Sequence, residues 1–204
     1  MLTILEKKIE DYPCMISLAK SEDIIAQMKN CVCIIKASNS YGSGFFTKIE
    51  FNGKNINCLV TNSHVIQKHN SHTYEKEIII YIKDKVYPII INDSRKIYYN
   101  EEIDVEFIEI KEEIECTYLG LDNSLEAEYK YKSIYIIQNL KESGIFVSYG
   151  IIKGLYDHGR GQIMHLCDTQ FGTSGSPIIS LESLKVIGIH KGAAPNNLHF
   201  NIGY

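Results

Sequence analysis

The stretch Gly172-Thr173-Ser174-Gly175-Ser176-Pro177 lies between Asp168-Thr169-Gln170-Phe171 and the apolar pair Ile178-Ile179. Glycines on both sides of a serine let the backbone fold sharply, so the hydroxyl projects outward while the preceding amides turn inward around a small concavity that can hold an oxyanion. The same hexapeptide also fits an ordinary Gly/Ser hairpin, since Gly, Ser and Pro are the common turn residues. Two distant segments separate these readings. In Val60-Thr61-Asn62-Ser63-His64-Val65-Ile66 an apolar strand-like run ends at a histidine, and in Ile103-Asp104-Val105-Glu106-Phe107-Ile108 an aspartate opens an alternating strand. An alcohol is a poor nucleophile at neutral pH; it needs an imidazole to take its proton and a carboxylate to hold that imidazole in the right tautomer.

With 204 residues the chain is long enough to bury a real core, as one domain or as two small halves. Its formal net charge of -4, with acidic and basic residues interspersed, forms no basic stripe and argues against nucleic acid as a partner. No apolar run approaches the ~20 residues of a membrane span, so no membrane partner is expected. Met1-Leu2-Thr3-Ile4-Leu5-Glu6-Lys7-Lys8 reaches charge too early for a signal peptide. The six cysteines show no Cys-x-x-Cys pair, and Cys31 and Cys33 are expected on one face of one strand, a poor arrangement for bridging each other. Buried free thiols in a reducing, cytoplasmic setting are the expectation.

Residues 3–28 read as helical: Thr3 with Glu6 fits a capping box, and Ser21 would cap a second helix carrying Ile24, Ile25 and Met28, with Tyr12-Pro13 between the two. From Cys31 the pattern changes to short runs rich in Ile, Val, Phe and Tyr: residues 31–37, 44–51, 57–61, 78–82, 86–91 and 105–110. Phe51-Asn52-Gly53-Lys54 is a hairpin signal. After a polar connection at 117–130 a second set follows at 133–138, 144–152, 161–167, 176–180, 185–190 and 199–202. The expected organisation is a helical extension (1–29), an N-terminal β unit (30–118), and a linker with a C-terminal β unit (119–204). By strand number alone, this all-β pattern fits a sandwich as well as a pair of barrels.

The order His64, Asp104, Ser174, with Gly42-Ser43-Gly44-Phe45-Phe46 before the histidine and Val186-Ile187-Gly188-Ile189-His190 after the serine, resembles the chymotrypsin-like serine peptidases. Within them it is most similar to the disulfide-free branch of glutamyl endopeptidases and HtrA-type protease domains, over about residues 30–204. The resemblance implies two six-stranded antiparallel β-barrels. It also implies peptide cleavage through an acyl-enzyme on Ser174, with His64 as general base, Asp104 orienting it, and the amides of Gly172 and Ser174 as the oxyanion hole. The runner-up is a catalytically silent domain of the same fold that binds proteins. Secreted members commonly carry a cysteine directly after the histidine, where Val65 stands here. Members activated by cleavage pair a new amino terminus with an aspartate just before the serine. Thr173 stands there, so activation of that kind is not expected, and the leading segment reads as a structural or regulatory addition.

His69 and His72 are rivals of His64, but they fall in a polar loop with no spaced carboxylate or thiolate to complete a metal site. No metal or cofactor is expected. Cys167 has no positive neighbour other than His165 to activate it. The resemblance puts the specificity pocket at Asp168, Thr169 and residues 187–192, where two readings conflict. Asp168 would bind Arg or Lys; Thr169 with His190, aided by the charge of Lys191, would hydrogen-bond Glu or Gln. The two matched positions favour cleavage after Glu or Gln. The expected partners are a polypeptide substrate and regulatory neighbours in the same chain or complex, the domain being either a minimal protease or the protease portion of a larger protein.

Overall fold

The computed structural model describes residues 13–38, 40–66, 76–123, 130–141, 143–157, 161–194 and 200–204. The first expected helix, His69 and His72 lie outside them. Helix α1 spans Leu18–Asn30 and is capped by Ser17, whose hydroxyl accepts from the Lys20 amide. Ser21, the expected cap, sits inside the first turn and donates its hydroxyl to the Ser17 carbonyl. The serine four residues earlier takes the role because its extended backbone leaves its side chain free to reach the open amides.

Strands β1 (Val32–Ala37), β2 (Ser40–Phe51), β3 (Lys54–Thr61), β4 (Lys76–Ile82), β5 (Lys85–Ile91), β6 (Ile97–Asn100) and β7 (Val105–Glu109) form one antiparallel sheet in the order β5-β4-β1-β2-β3-β7-β6. It has one strand more than the six expected. Its two edges do not share a ladder, so it is a half-barrel rather than a closed one. The turn at Asn52-Gly53 has both residues at positive φ (52° and 71°), which matches the right-handed twist of the flanking strands.

Strands β8 (Ser133–Leu140), β9 (Gly144–Asp157), β10 (Gln162–His165), β11 (Pro177–Ser180), β12 (Val186–Ala193) and β13 (Asn201–Gly203) close into a barrel in the order β10-β13-β12-β11-β8-β9. Together the two sheets make the double-barrel arrangement.

Period-two alternation divides the cores. On β8, Ile134 and Ile136 point into the closed barrel, while Tyr135 and Ile137 point to the apolar layer between the sheets. Val32, Phe45 and Val60 meet that layer from the first sheet, and Ile24 of α1 plugs it. Cys31 lies in this layer as the helix C-cap, outside β1, whereas Cys33 points into the first sheet's own core with Ile35, Phe46 and Leu59. The two thiols therefore do not share a strand face; the helix end moves Cys31 out of the alternation.

The connection between the sheets is itself hydrogen-bonded to both, through Leu119 N to the Phe46 carbonyl and Asp122 N to the Val186 carbonyl. Helix α1 crosses to the second barrel as well. Gln27 Nε2 donates to the Leu184 carbonyl at 3.0 Å and Lys20 Nζ to the Leu181 carbonyl at 2.8 Å. Among the described residues no helix is long and apolar enough to cross a membrane.

Candidate active site

Strand β3 runs out of the first core and ends in a one-turn helix, α2 (Ser63–Ile66), which buries Val65 and Ile66 and leaves His64 half exposed. Asp104 stands at the start of β7 with φ of 54°, a left-handed conformation that an aspartate tolerates. Its carboxylate reaches His64 twice. Oδ2 lies 2.6 Å from His64 Nδ1, and Oδ1 accepts the His64 backbone amide at 3.0 Å. The aspartate backbone is fixed in turn, since its carbonyl accepts from Asn62 Nδ2 at 2.9 Å and from the Ser63 amide at 3.3 Å. With Nδ1–H donating to the carboxylate, Nε2 of His64 is left as the acceptor, the arrangement a general base needs.

The loop carrying Ser174 belongs to the second barrel but is held by the first. Gly172 and Gly175 adopt φ of 92° and 91°, which side chains rarely reach, and a Cβ on Gly175 would meet the Ser43 carbonyl at 2.1 Å. That close approach lets the Ser43 amide donate to the Ser174 carbonyl at 2.8 Å and its hydroxyl to the Gly172 carbonyl at 3.3 Å. Thr61 donates to the Ser43 carbonyl, extending the tie back to β3. Within the loop the Thr173 hydroxyl donates to the Gln170 carbonyl at 2.7 Å. Among the described residues the amides of Gly172 and Ser174 donate no hydrogen bond.

Ser174, His64, Gly172, Thr169 and His190 line one cleft of about 480 Å³, with Tyr41 and Phe171 at its lip. The Ser174 hydroxyl donates to the Lys191 carbonyl at 2.9 Å, so it must rotate to reach the histidine. Ser176 is fully buried and offers no nucleophile. Burial and the charge of Asp168 push the Cys167 thiol up to about 12, which keeps it inert.

The specificity residues separate. Thr169 and His190 face the cleft. Asp168 is exposed and outside its described lining, and its carbonyl accepts from Gln138 Nε2 at 2.7 Å. Lys191 turns its ammonium to Asp104, not to the cleft, at 4.0 Å from Oδ2.

Behind His190 stands His165, whose Nε2 lies 3.2 Å from His190 Nδ1 and whose own Nδ1 accepts from the Cys167 amide. Burial, with the neighbouring ring, holds His165 at about 3; burial, with the charge of His64, holds His190 at about 4. Both are neutral, and the tautomers follow in sequence. His165 carries its proton on Nε2 and donates to His190 Nδ1, so His190 carries its own proton on Nε2. Sequence reading missed His165 in this role; its alternation with Ile163 and Cys167 marked it as inward-facing. It also missed Ser43 and Asn62 as supports, although both flank quoted motifs.

Two β units that meet across a cleft lined by histidine and serine, with an aspartate bonded to the histidine, define the chymotrypsin-like class of serine proteases. The chain belongs to the trypsin-like peptidase domain family, whose model matches residues 42–189. No curated protein matches the chain significantly. Among solved structures it is similar to the inactive form of Rv3671c from M. tuberculosis H37Rv (TM-score 0.64, 16% identity, covering 95% of this chain and 90% of that one). It is also similar to a serine endoprotease from Yersinia pestis (TM-score 0.67, 14% identity, 93% of this chain and 63% of that one). A human pathogenic astrovirus serine protease gives a TM-score of 0.59 at 19% identity, covering 85% of this chain and 87% of that one. At these identities the likeness is one of fold.

Proposed function

We propose that the chain is a serine endopeptidase that cleaves through an acyl-enzyme on Ser174, after Glu or Gln. The observation that carries the reading is the 2.6 Å contact between His64 Nδ1 and Asp104 Oδ2 at a cleft that Ser174 shares. Rotation of the Ser174 hydroxyl off the Lys191 carbonyl lets His64 Nε2 take its proton as Oγ attacks the scissile carbonyl. Negative charge then develops on the carbonyl oxygen before the open amides of Gly172 and Ser174, each such donor being worth roughly 3 kcal/mol of transition-state stabilisation. The imidazolium, held by Asp104, passes its proton to the leaving amine, and water repeats the cycle on the ester.

A chain substrate also needs room beyond the scissile bond. A second cavity of about 400 Å³, lined by Tyr41, Gly42, Asn139, Lys141 and Phe171, adjoins the first across Phe171 and Gly172. That continuity supports an endopeptidase. For the residue before the scissile bond, Thr169 and the Nε2–H of His190 offer hydrogen bonds to a side-chain oxygen, while Asp168, the carboxylate that would hold Arg or Lys, lies exposed outside the described lining.

The test is covalent labelling by a fluorophosphonate probe, followed by mass spectrometry. The intact chain should be labelled on Ser174, and Ser174→Ala or His64→Ala should lose both labelling and peptide cleavage while melting at the parental temperature. Labelling retained in Ser174→Ala overturns the assignment. A folded parent that binds peptide but is neither labelled nor active favours the silent binding domain.

A further inference from the structure

Lys191 contacts two of the three proposed catalytic residues from opposite ends. Its carbonyl accepts the Ser174 hydroxyl at 2.9 Å. Its ammonium lies 4.0 Å from Asp104 Oδ2, the oxygen that also holds His64 Nδ1. The Asp104 side chain is only 10% exposed, so water screens this contact less than it would at the surface. The ammonium is held in place by the Tyr204 ring, whose centroid lies 5.1 Å away. Tyr204 is fixed in turn by paired backbone bonds with Ile189 and by Gln162 on its hydroxyl.

We propose that Lys191 is a positioning residue whose ammonium shares the Asp104 carboxylate with the His64 ring, and thereby favours the neutral ring that accepts the serine proton. This rests on the Ser174 reading above. An imidazolium at His64 gains from the negative charge of Asp104; a fixed cation on the same carboxylate repels that imidazolium and offsets part of the gain. The neutral ring, the form that accepts the serine proton, is favoured by the difference.

The other titratable groups around His64 and Asp104 do not substitute for it. His190, backed by His165, is held neutral by burial. Tyr41 lines the cleft and has its hydroxyl engaged by Lys141. Glu106, on β7 beyond Asp104, is pushed up to about 7 by burial against the charge of Lys76. It is present in parent and variant alike, so the difference between the two reads Lys191.

The experiment compares Lys191→Met, which keeps the stem over Tyr204, and Lys191→Arg with the parent. One readout is kcat/KM against pH on matched Glu and Gln peptides. The other is the NMR titration of the His64 ring in a Ser174→Ala background, which requires no turnover. In Lys191→Met the acid limb and the His64 titration should both move up by roughly half to one pH unit, the scale expected for unit charges several ångströms apart. Activity below the limb should then fall about 3- to 10-fold, with the alkaline plateau nearly kept, while Lys191→Arg keeps the parental profile. Superimposable titrations overturn the proposal. So does a KM that rises for the Glu peptide alone with an unmoved limb, which would put the charge of Lys191 on the substrate. If the parent proves inactive the protease reading fails, and the NMR titration still decides the role of Lys191; if Lys191→Met does not fold, Lys191→Gln replaces it.

Discussion

A histidine that binds an acidic side chain could do so as a cation, but His190 is not free to become one. Its value of about 4 means that it stays neutral through the range where the domain would work, and with Nδ1 accepting from His165 its single N–H is on Nε2. A neutral donor serves a Gln carbonyl and a Glu carboxylate alike. The expected outcome is therefore a preference for Glu and Gln over Leu that stays flat between about pH 5.5 and 8, because His190 does not titrate in that window. His190→Phe should lower kcat/KM for Glu and Gln peptides about 100-fold, toward the value for Leu, as sites that hydrogen-bond their substrate discriminate by at least that much. Peptide-library profiling checks it; a preference for Arg or Lys that disappears in Asp168→Ala would reverse the choice. Thr173 shows the same economy at a neighbouring position. Where relatives activated by cleavage need an aspartate and a new terminus, its hydroxyl closes the loop onto Gln170.

At the scale of elements, the first sheet is closed by a side chain where the ladder is open. Arg95 lies between edge strand β5 and the far strands of the sheet. Its Nε donates to the Ile90 carbonyl at 3.1 Å, Nη1 to the Glu109 carbonyl at 2.6 Å, and the fork takes both oxygens of Glu112. The guanidinium is nearly buried and Glu112 is about one-third exposed, so the carboxylate can turn to water if its partner is lost. Arg95→Met should cost about 2–3 kcal/mol in urea unfolding, less than a fully buried pair. Arg95→Met with Glu112→Leu should recover part of that loss.

The strands of both sheets were mostly legible in sequence, because runs rich in Ile, Val, Phe and Tyr, such as residues 78–82 and 134–137, are bounded by turn residues. β6 was not: Ile97-Tyr98-Tyr99-Asn100 is short, and both tyrosines face solvent, so no period shows. The order of His64, Asp104 and Ser174 was also legible. The direction of Lys191 and the stacking of His165 behind His190 were not, since both depend on which strands become neighbours.

Across the whole molecule, buried titratable groups pull stability in opposite directions with pH. Glu106 is raised from the usual 4.5 to about 7 by burial, so its contribution is full below about 4.5 and is lost as pH rises through 7, where a charged carboxylate must stay inside. His165 and His190 are depressed, so their contribution is present above about 6.5 and is lost as pH falls toward 4 and 3. Glu106→Gln should stabilise the domain at pH 8 by up to about 3 kcal/mol, at roughly 1.4 kcal/mol per unit, and by almost nothing at pH 4. Melting temperatures across pH measure it. An equal gain at both ends would mean that packing, not charge, sets the difference.

Helix α1 also bears on how the chain is made. Its contacts with Leu184 and Leu181 join residues 157 and 161 positions apart. At the ~5–20 residues per second of translation, Gln27 is synthesised roughly 8–30 s before its acceptor exists. Until then the first sheet has no second barrel to cover Val32, Phe45 and Val60, and Ile24 has only half its pocket. The nascent chain must hold that apolar layer open while β8 to β12 are synthesised, which leaves it exposed to aggregation until the helix can dock across both halves.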